Sequence, residues 1–260
     1  MNTALETKIK NNKFNNRRQG FASLGIFVLA IFLWGFDDYH QPFPINIRPP
    51  VPHEAMVYGA TTQFGLTFLP DIIFAIPELL ISVNKENSIA DYAPTDLVDL
   101  KNLDAPGKYI RKIAYDSLEK LVSDMRAAGR PVKIISAYRN YSTQKSLFSS
   151  YERTYGNEAH RFSAQAGHSE HQLGTTIDFG TGNSKIDLTA KFAFSPQGIW
   201  LSAHAAEYGF VESYPPDKED ITGYIYEPWH YRFIGIEGAS NWKESGLTLK
   251  EFLEIQAEGK

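Results

Sequence analysis

Two short segments hold the residue types that hydrolytic metal chemistry needs. HQLGTTID carries His171 and Asp178, and EPWHYRF sets Glu227 three residues before His230. A hydrolytic zinc site takes three protein ligands, usually imidazoles and a carboxylate, and leaves one position open. The chain has 7 histidines and no cysteine, so any metal must be held by His, Asp or Glu, and cysteine nucleophiles and disulfides are excluded. Gly174 allows a turn after His171, and on a strand Thr176 and Asp178 share a face because side chains alternate. One ligand from a loop and one from the neighbouring strand can therefore converge. Glu227 and His230 lie close enough for a carboxylate to work beside an imidazole without both binding the metal. Taken singly, each pair arises often by chance, and a lone histidine is more often an ordinary hydrogen-bonding group than a ligand.

These segments need a scaffold to position them. Residues 107–129 place Ile110, Ile113, Ala114, Leu118, Leu121, Val122 and Met125 at helical spacing, with Gly129 where a helix stop is expected. The β-branched run VKIISAY comes next as a strand, and RNYSTQKSLF then reads as a turn and a helix capped by Ser142 or Thr143. A second helix is expected over 196–208, ending on Gly209. Strands are expected near 175–178, 210–212 and 229–233, which gives a mixed α+β domain with a modest sheet.

The amino terminus reads differently. Lys8, Lys10, Lys13, Arg17 and Arg18 precede an uncharged apolar run, FASLGIFVLAIFLWGF, over residues 21–36. A basic segment ahead of an apolar one is a signature of export. The aromatic sequence WGFDDYHQPFP and the lack of an A-x-A cleavage site favour a membrane-anchor helix over a cleaved signal. Residues 1–20 are then the cytoplasmic segment, and the remainder lies outside the cytoplasmic membrane. Proline density over 41–53 suits an extended linker. Residues 37–83 form that linker with a poorly legible apolar stretch, 84–245 the body, and 246–260 a tail. The net charge of -4, without a basic block in the body, excludes a nucleic-acid surface.

Four segments in order, VNKENSIADYAPTDLV, SAYRNYSTQKSLF, RFSAQAGHSEHQLGTTIDFG and ITGYIYEPWHYRFIG, strongly resemble the VanY-type branch of the D-alanyl-D-alanine carboxypeptidase family. The resemblance spans roughly Ser82 to Ile236. It implies one zinc ion bound by His171, Asp178 and His230, with Glu227 as general base and a small antiparallel sheet flanked by helices. It further implies that Arg139 faces the scissile carbonyl, where a guanidinium stabilises the oxyanion, and that Ser169 and Gln144 contact the substrate's terminal carboxylate. His168 falls outside the family's metal positions.

The activity implied by the resemblance is that of a zinc carboxypeptidase that removes terminal D-alanine from peptidoglycan stem peptides. Members cut either a D,D bond in a pentapeptide or an L,D bond in a tetrapeptide. A non-catalytic zinc module that binds peptidoglycan is the alternative from another class, and the intact Glu227 argues against it. Tyr138, Tyr224, Tyr226 and Trp229 are candidates for the cleft wall, with core packing as their alternative.

Overall fold

The computed structural model describes residues 77–258. The expected anchor, and the linker as far as residue 76, lie outside them. No helix among the described residues is long and apolar enough to cross a membrane.

The domain is α+β, with two antiparallel sheets. A small one pairs β1 (Leu97–Leu100) with β2 (Ala105–Arg111). The larger has the order β3-β4-β6-β5, built from β3 (Lys133–Ser136), β4 (Thr176–Gly180), β5 (Phe210–Glu212) and β6 (His230–Phe233). All five residues of β4 are buried, as befits a strand paired on both edges and covered on both faces. Its register with β6 sets Thr176 opposite Arg232, Ile177 opposite Tyr231 and Asp178 opposite His230.

Helix α1 (Lys112–Ala127) buries Ala114, Leu118, Leu121, Val122 and Met125 in the main core, with Ile177, Phe179, Phe192 and Phe210. It starts later than the apolar spacing suggests. Residues 107–111 belong to β2 instead, where Ile110 pairs with Val98 and Tyr109 with Asp99, and Gly107 at φ +76 is not helical. Pairing with β1 thus overrides a helical pattern that continues through Ile110. Gly129, at φ +70, lies just past the helix end as expected.

Helix α2 (Tyr141–Tyr155) is capped two or three residues earlier than expected. The side chain of Asn140 accepts from the Thr143 amide at 2.8 Å, and neither Ser142 nor Thr143 is the cap. Helix α3 (Pro196–His204) is capped by Ser195 and carries proline at its first position. It continues as a 3₁₀ turn through Tyr208 and stops at Gly209, φ +82. A one-turn helix α4 (Glu219–Thr222) precedes the segment that leads to β6.

Both ends of the body need correction. Leu79 belongs to the main core and Leu80 to a second cluster, so the packed domain includes residues 77–83, which the sequence pattern places in the linker. The carbonyls of Leu79 and Ile81 accept from buried Arg232, which ties this segment to β6. The expected tail contains helix α6 (Leu249–Glu258), which comes after α5 (Ile236–Ser245). Leu249, Phe252 and Leu253 share one helical face and are buried against Val211, Ile234 and Ala239.

Candidate metal centre

Asp178 and His230 face each other across the β4–β6 ladder, so their convergence is a consequence of sheet register. His171 arrives from a 3₁₀ turn, Glu170–Leu173, that ends on Gly174 in the left-handed region and feeds β4. One potential ligand atom from each of the three residues lies within 4.8 Å of the others. His171 Nε2 is 3.1 Å from Asp178 Oδ2, and His230 Nδ1 is 3.2 Å from Asp178 Oδ1.

The remaining ring nitrogens are committed elsewhere. His171 Nδ1 donates to the Ala137 carbonyl at 2.8 Å, and His230 Nε2 donates to Glu170 at 2.9 Å. These partners assign the tautomers and leave a lone pair on each ring facing Asp178. Asp178 Oδ1 is buried and accepts no well-directed hydrogen bond. Two imidazole lone pairs and an unsatisfied carboxylate oxygen around one point form a donor set that fits zinc.

Electrostatics support the same fit. Burial disfavours charge on Asp178, yet His171 and His230 outweigh it and hold the carboxyl well below its usual range. Burial also disfavours charge on His230, but Asp178 and Glu170 push it upward. The carboxylates thus require positive charge between them, which a divalent cation supplies while the imidazoles stay neutral.

Glu227 is buried beside this centre, its Oε2 3.6 Å from His230 Nδ1. A turn places it there: the His230 amide donates to the Glu227 carbonyl, and the Glu227 amide donates to the Tyr214 carbonyl. Burial, reinforced by Asp178, pushes its carboxyl up to about 8 despite His230 and Arg139. Such a carboxyl can both hold and release a proton near neutral pH, as a general acid and base requires.

Arg139 enters from the loop after β3. Its backbone amide donates to the His171 carbonyl, and Nη2 lies 4.0 Å from Asp178 Oδ2. Nη2 also donates to Ser136 Oγ at 2.9 Å, and Nη1 to Gln144 Oε1 at 2.8 Å. Gln144 is fully buried, with its oxygen on Arg139 and its amide nitrogen on the Ala164 carbonyl, so it braces the arginine from behind. Ser169 does line the cleft, a cavity of about 280 Å³ that also holds Arg139, Glu227 and the three ligands.

Tyr224 and Trp229 wall this cleft, as do Tyr151 and Tyr214. Tyr138 and Tyr226 do not. Tyr226 faces a separate cavity with Pro228 and Tyr231. His168 donates from Nδ1 to the Asn84 carbonyl and stands outside the ligand set.

Glu170 is a functional residue that sequence reasoning misses. It is buried and joins His230 Nε2, Ser213 Oγ at 2.6 Å and Arg232 Nη1 at 3.0 Å. Burial would raise its carboxyl, but Arg232 and then His230 hold it down to about 2. Between Ser169 and His171, Glu170 reads as an ordinary surface acid. Its partner Arg232 alternates with Tyr231 on β6, and that pattern is the sequence signal for a buried cation needing an anion.

Fold and site together define a mononuclear zinc metallocarboxypeptidase, with His171, Asp178 and His230 as the metal site. A model of the family described as VanY, D-alanyl-D-alanine carboxypeptidase, matches residues 107–236. The chain is 35% identical over 183 residues to a putative carboxypeptidase, YodJ, of Bacillus subtilis strain 168, covering 68% of this chain and 67% of that one. The structure of the LD-carboxypeptidase LdcB aligns with TM-score 0.61 and 34% identity, over 68% of this chain and 87% of its own. A variant of the vancomycin-resistance D,D-pentapeptidase VanY, in complex with Zn(II), aligns with TM-score 0.58 and 32% identity, over 68% and 99%. The chain belongs to the VanY D-alanyl-D-alanine carboxypeptidase family and is a zinc metallocarboxypeptidase.

Proposed function

We propose that this enzyme removes the terminal D-alanine from peptidoglycan stem peptides outside the cytoplasmic membrane, acting on the D,D bond of pentapeptides. The observation that carries the reading is the placement of Glu227 and Arg139 on the same cleft as the three-ligand centre. Zinc held by His171, Asp178 and His230 supplies the Lewis acidity that makes water a nucleophile near neutral pH.

Glu227 takes a proton from the attacking water as its oxygen adds to the scissile carbonyl carbon. Arg139, held by Ser136 and Gln144, donates to the oxyanion that develops. Glu227 then passes the proton to the departing amine nitrogen as the C–N bond breaks, leaving a shortened peptide carboxylate and free D-alanine. Ser169, on the cleft wall, offers its hydroxyl to the terminal carboxylate of the substrate. The basic and apolar segments over residues 1–36 support anchoring in the membrane with the domain on its outer side.

The alternative is an L,D cut that releases D-alanine from tetrapeptides; identity is alike to the LD-carboxypeptidase LdcB, 34%, and to the D,D-pentapeptidase, 32%, so the substrate test decides between them. Separate incubation of the zinc-loaded enzyme with pentapeptide and tetrapeptide stems, with released D-alanine quantified, tests the proposal. D-alanine from the pentapeptide alone is expected. Release from the tetrapeptide alone overturns the D,D assignment, and release from neither overturns the carboxypeptidase reading.

A further inference from the structure

The segment VNKENSIADYAPTDLV contributes nothing to the chemistry described above. The structure stitches it onto the loop that carries Ser169 and His171. The Ile89 amide and Ser88 hydroxyl donate to the Gly167 carbonyl, and the side-chain amide of Gln172 donates to the carbonyls of Ala90 and Tyr92. His168 is held at the Asn84 carbonyl, 2.8 Å from Nδ1. Lys85, next in sequence, reaches back across Gly223, and its Nζ stands 4.8 Å from the centroid of the Tyr224 ring.

Beside these contacts lies a solvent-open cavity of about 160 Å³ lined by Lys85, His160, Ser163, Gln165, His168 and Tyr224, with Lys85 exposed at its edge. Ser163 and Tyr224 also line the catalytic cleft, so the two spaces share a wall. No carboxylate lines the smaller cavity. Every polar side chain in it can donate a hydrogen bond: an ammonium, two imidazoles, two hydroxyls and an amide. Nearby acids are engaged elsewhere, Glu86 with Lys250 at 3.1 Å and Glu219 with Arg161 at 2.7 Å. The Tyr224 ring face holds the ammonium over the boundary between the two spaces.

We propose that this cavity is a substrate subsite for a carboxylate carried by the stem peptide away from the scissile bond, with Lys85 as its principal counter-charge. It rests on the stem-peptide carboxypeptidase reading and adds a specificity: stems bearing that carboxylate are preferred over amidated ones. A charge-assisted contact at a site that shares a wall with the cleft discriminates in this way without touching the reacting atoms. Two sources offer such a carboxylate, a γ-linked D-glutamate at the second stem residue and a diaminopimelate side chain at the third.

The test uses the zinc-loaded full chain and pentapeptides, or tetrapeptides if those prove to be the substrate, in which one of these carboxylates at a time is amidated. Wild type is compared with Lys85→Met and Lys85→Arg. Lys85→Met is expected to raise KM for the fully charged stem about tenfold, or about 1.4 kcal/mol, with kcat within about twofold, and Lys85→Arg to restore most of the loss. Amidating the carboxylate that occupies the subsite should raise KM for wild type and abolish its advantage over Lys85→Met, which identifies the source. An equal effect of Lys85→Met on charged and fully amidated stems, or no effect on either, overturns the proposal while leaving the carboxypeptidase reading intact. If wild type releases no D-alanine from any stem, the underlying reading fails and the subsite falls with it.

Discussion

Replacing Glu170 with glutamine separates the metal centre's support from its ligands. The carboxylate is 4% exposed and joins His230, Ser213 and Arg232, whose guanidinium is fully buried and already has Nε without a partner. Glutamine keeps the shape but removes the charge, and it turns one acceptor into a donor facing other donors. Leaving a buried cation uncompensated costs about 3–5 kcal/mol. For a domain of this size, each kcal/mol lowers Tm by roughly 2–4 °C, so a fall of about 6–20 °C is expected. Loss of the oriented acceptor behind a His ligand should also weaken zinc binding by about 10–100-fold. Urea unfolding of chelator-treated protein measures the first effect, and zinc competition against a chromophoric chelator measures the second. Ser213→Ala, which removes one hydrogen bond to the same carboxylate, should cost about 1.5–3 kcal/mol. A Glu170→Gln protein as stable as wild type and binding zinc equally tightly would refute this reading of the buried cluster.

Arg139→Met should lower kcat by about 10²–10³-fold, the loss of one oxyanion donor, while zinc content measured by elemental analysis stays unchanged. Without metal, Glu227 imposes a pH dependence of definite sign. Its folded-state pKa, raised from 4.5 to about 8, gives a contribution that is fully present below the unfolded value and is lost as pH rises toward the folded one. Chelator-treated wild type should therefore lose about 2 kcal/mol more than Glu227→Gln between pH 6 and pH 8, read by urea unfolding at each pH. Gly174→Ala places a Cβ 2.9 Å from Arg111 Cγ at a residue with φ +75. Destabilisation of about 1–3 kcal/mol is expected, with weaker zinc binding in the same titration because the turn sets His171.

The ligand set is legible in the sequence through the four ordered segments that resemble the VanY-type family. Gly174 between His171 and Asp178, and the three-residue spacing of Glu227 and His230, each arise often by chance and do not assign ligands by themselves. Spacing does not contain register: only the β4–β6 pairing sets Asp178 opposite His230. The apolar pattern through Ile110 reads as helix because burial at Ile110 serves a strand as well as a helical turn. Leu249, Phe252 and Leu253 show helical spacing in a segment short enough to pass for a tail, and burial against Val211 and Ile234 makes it part of the domain. The resemblance gives Gln144 a contact to the substrate carboxylate, and in the structure its side chain is buried with both amide ends engaged, on Arg139 and on the Ala164 carbonyl.

Zinc-dependent cleavage through Glu227 is tested most directly by D-alanine release from a stem peptide, measured for chelator-stripped and zinc-restored wild type and for zinc-loaded Glu227→Gln. Release is expected in wild type only with zinc, and none in Glu227→Gln, although the variant still binds one zinc per chain. Unchanged release by Glu227→Gln, or undiminished release by metal-stripped wild type, would contradict it.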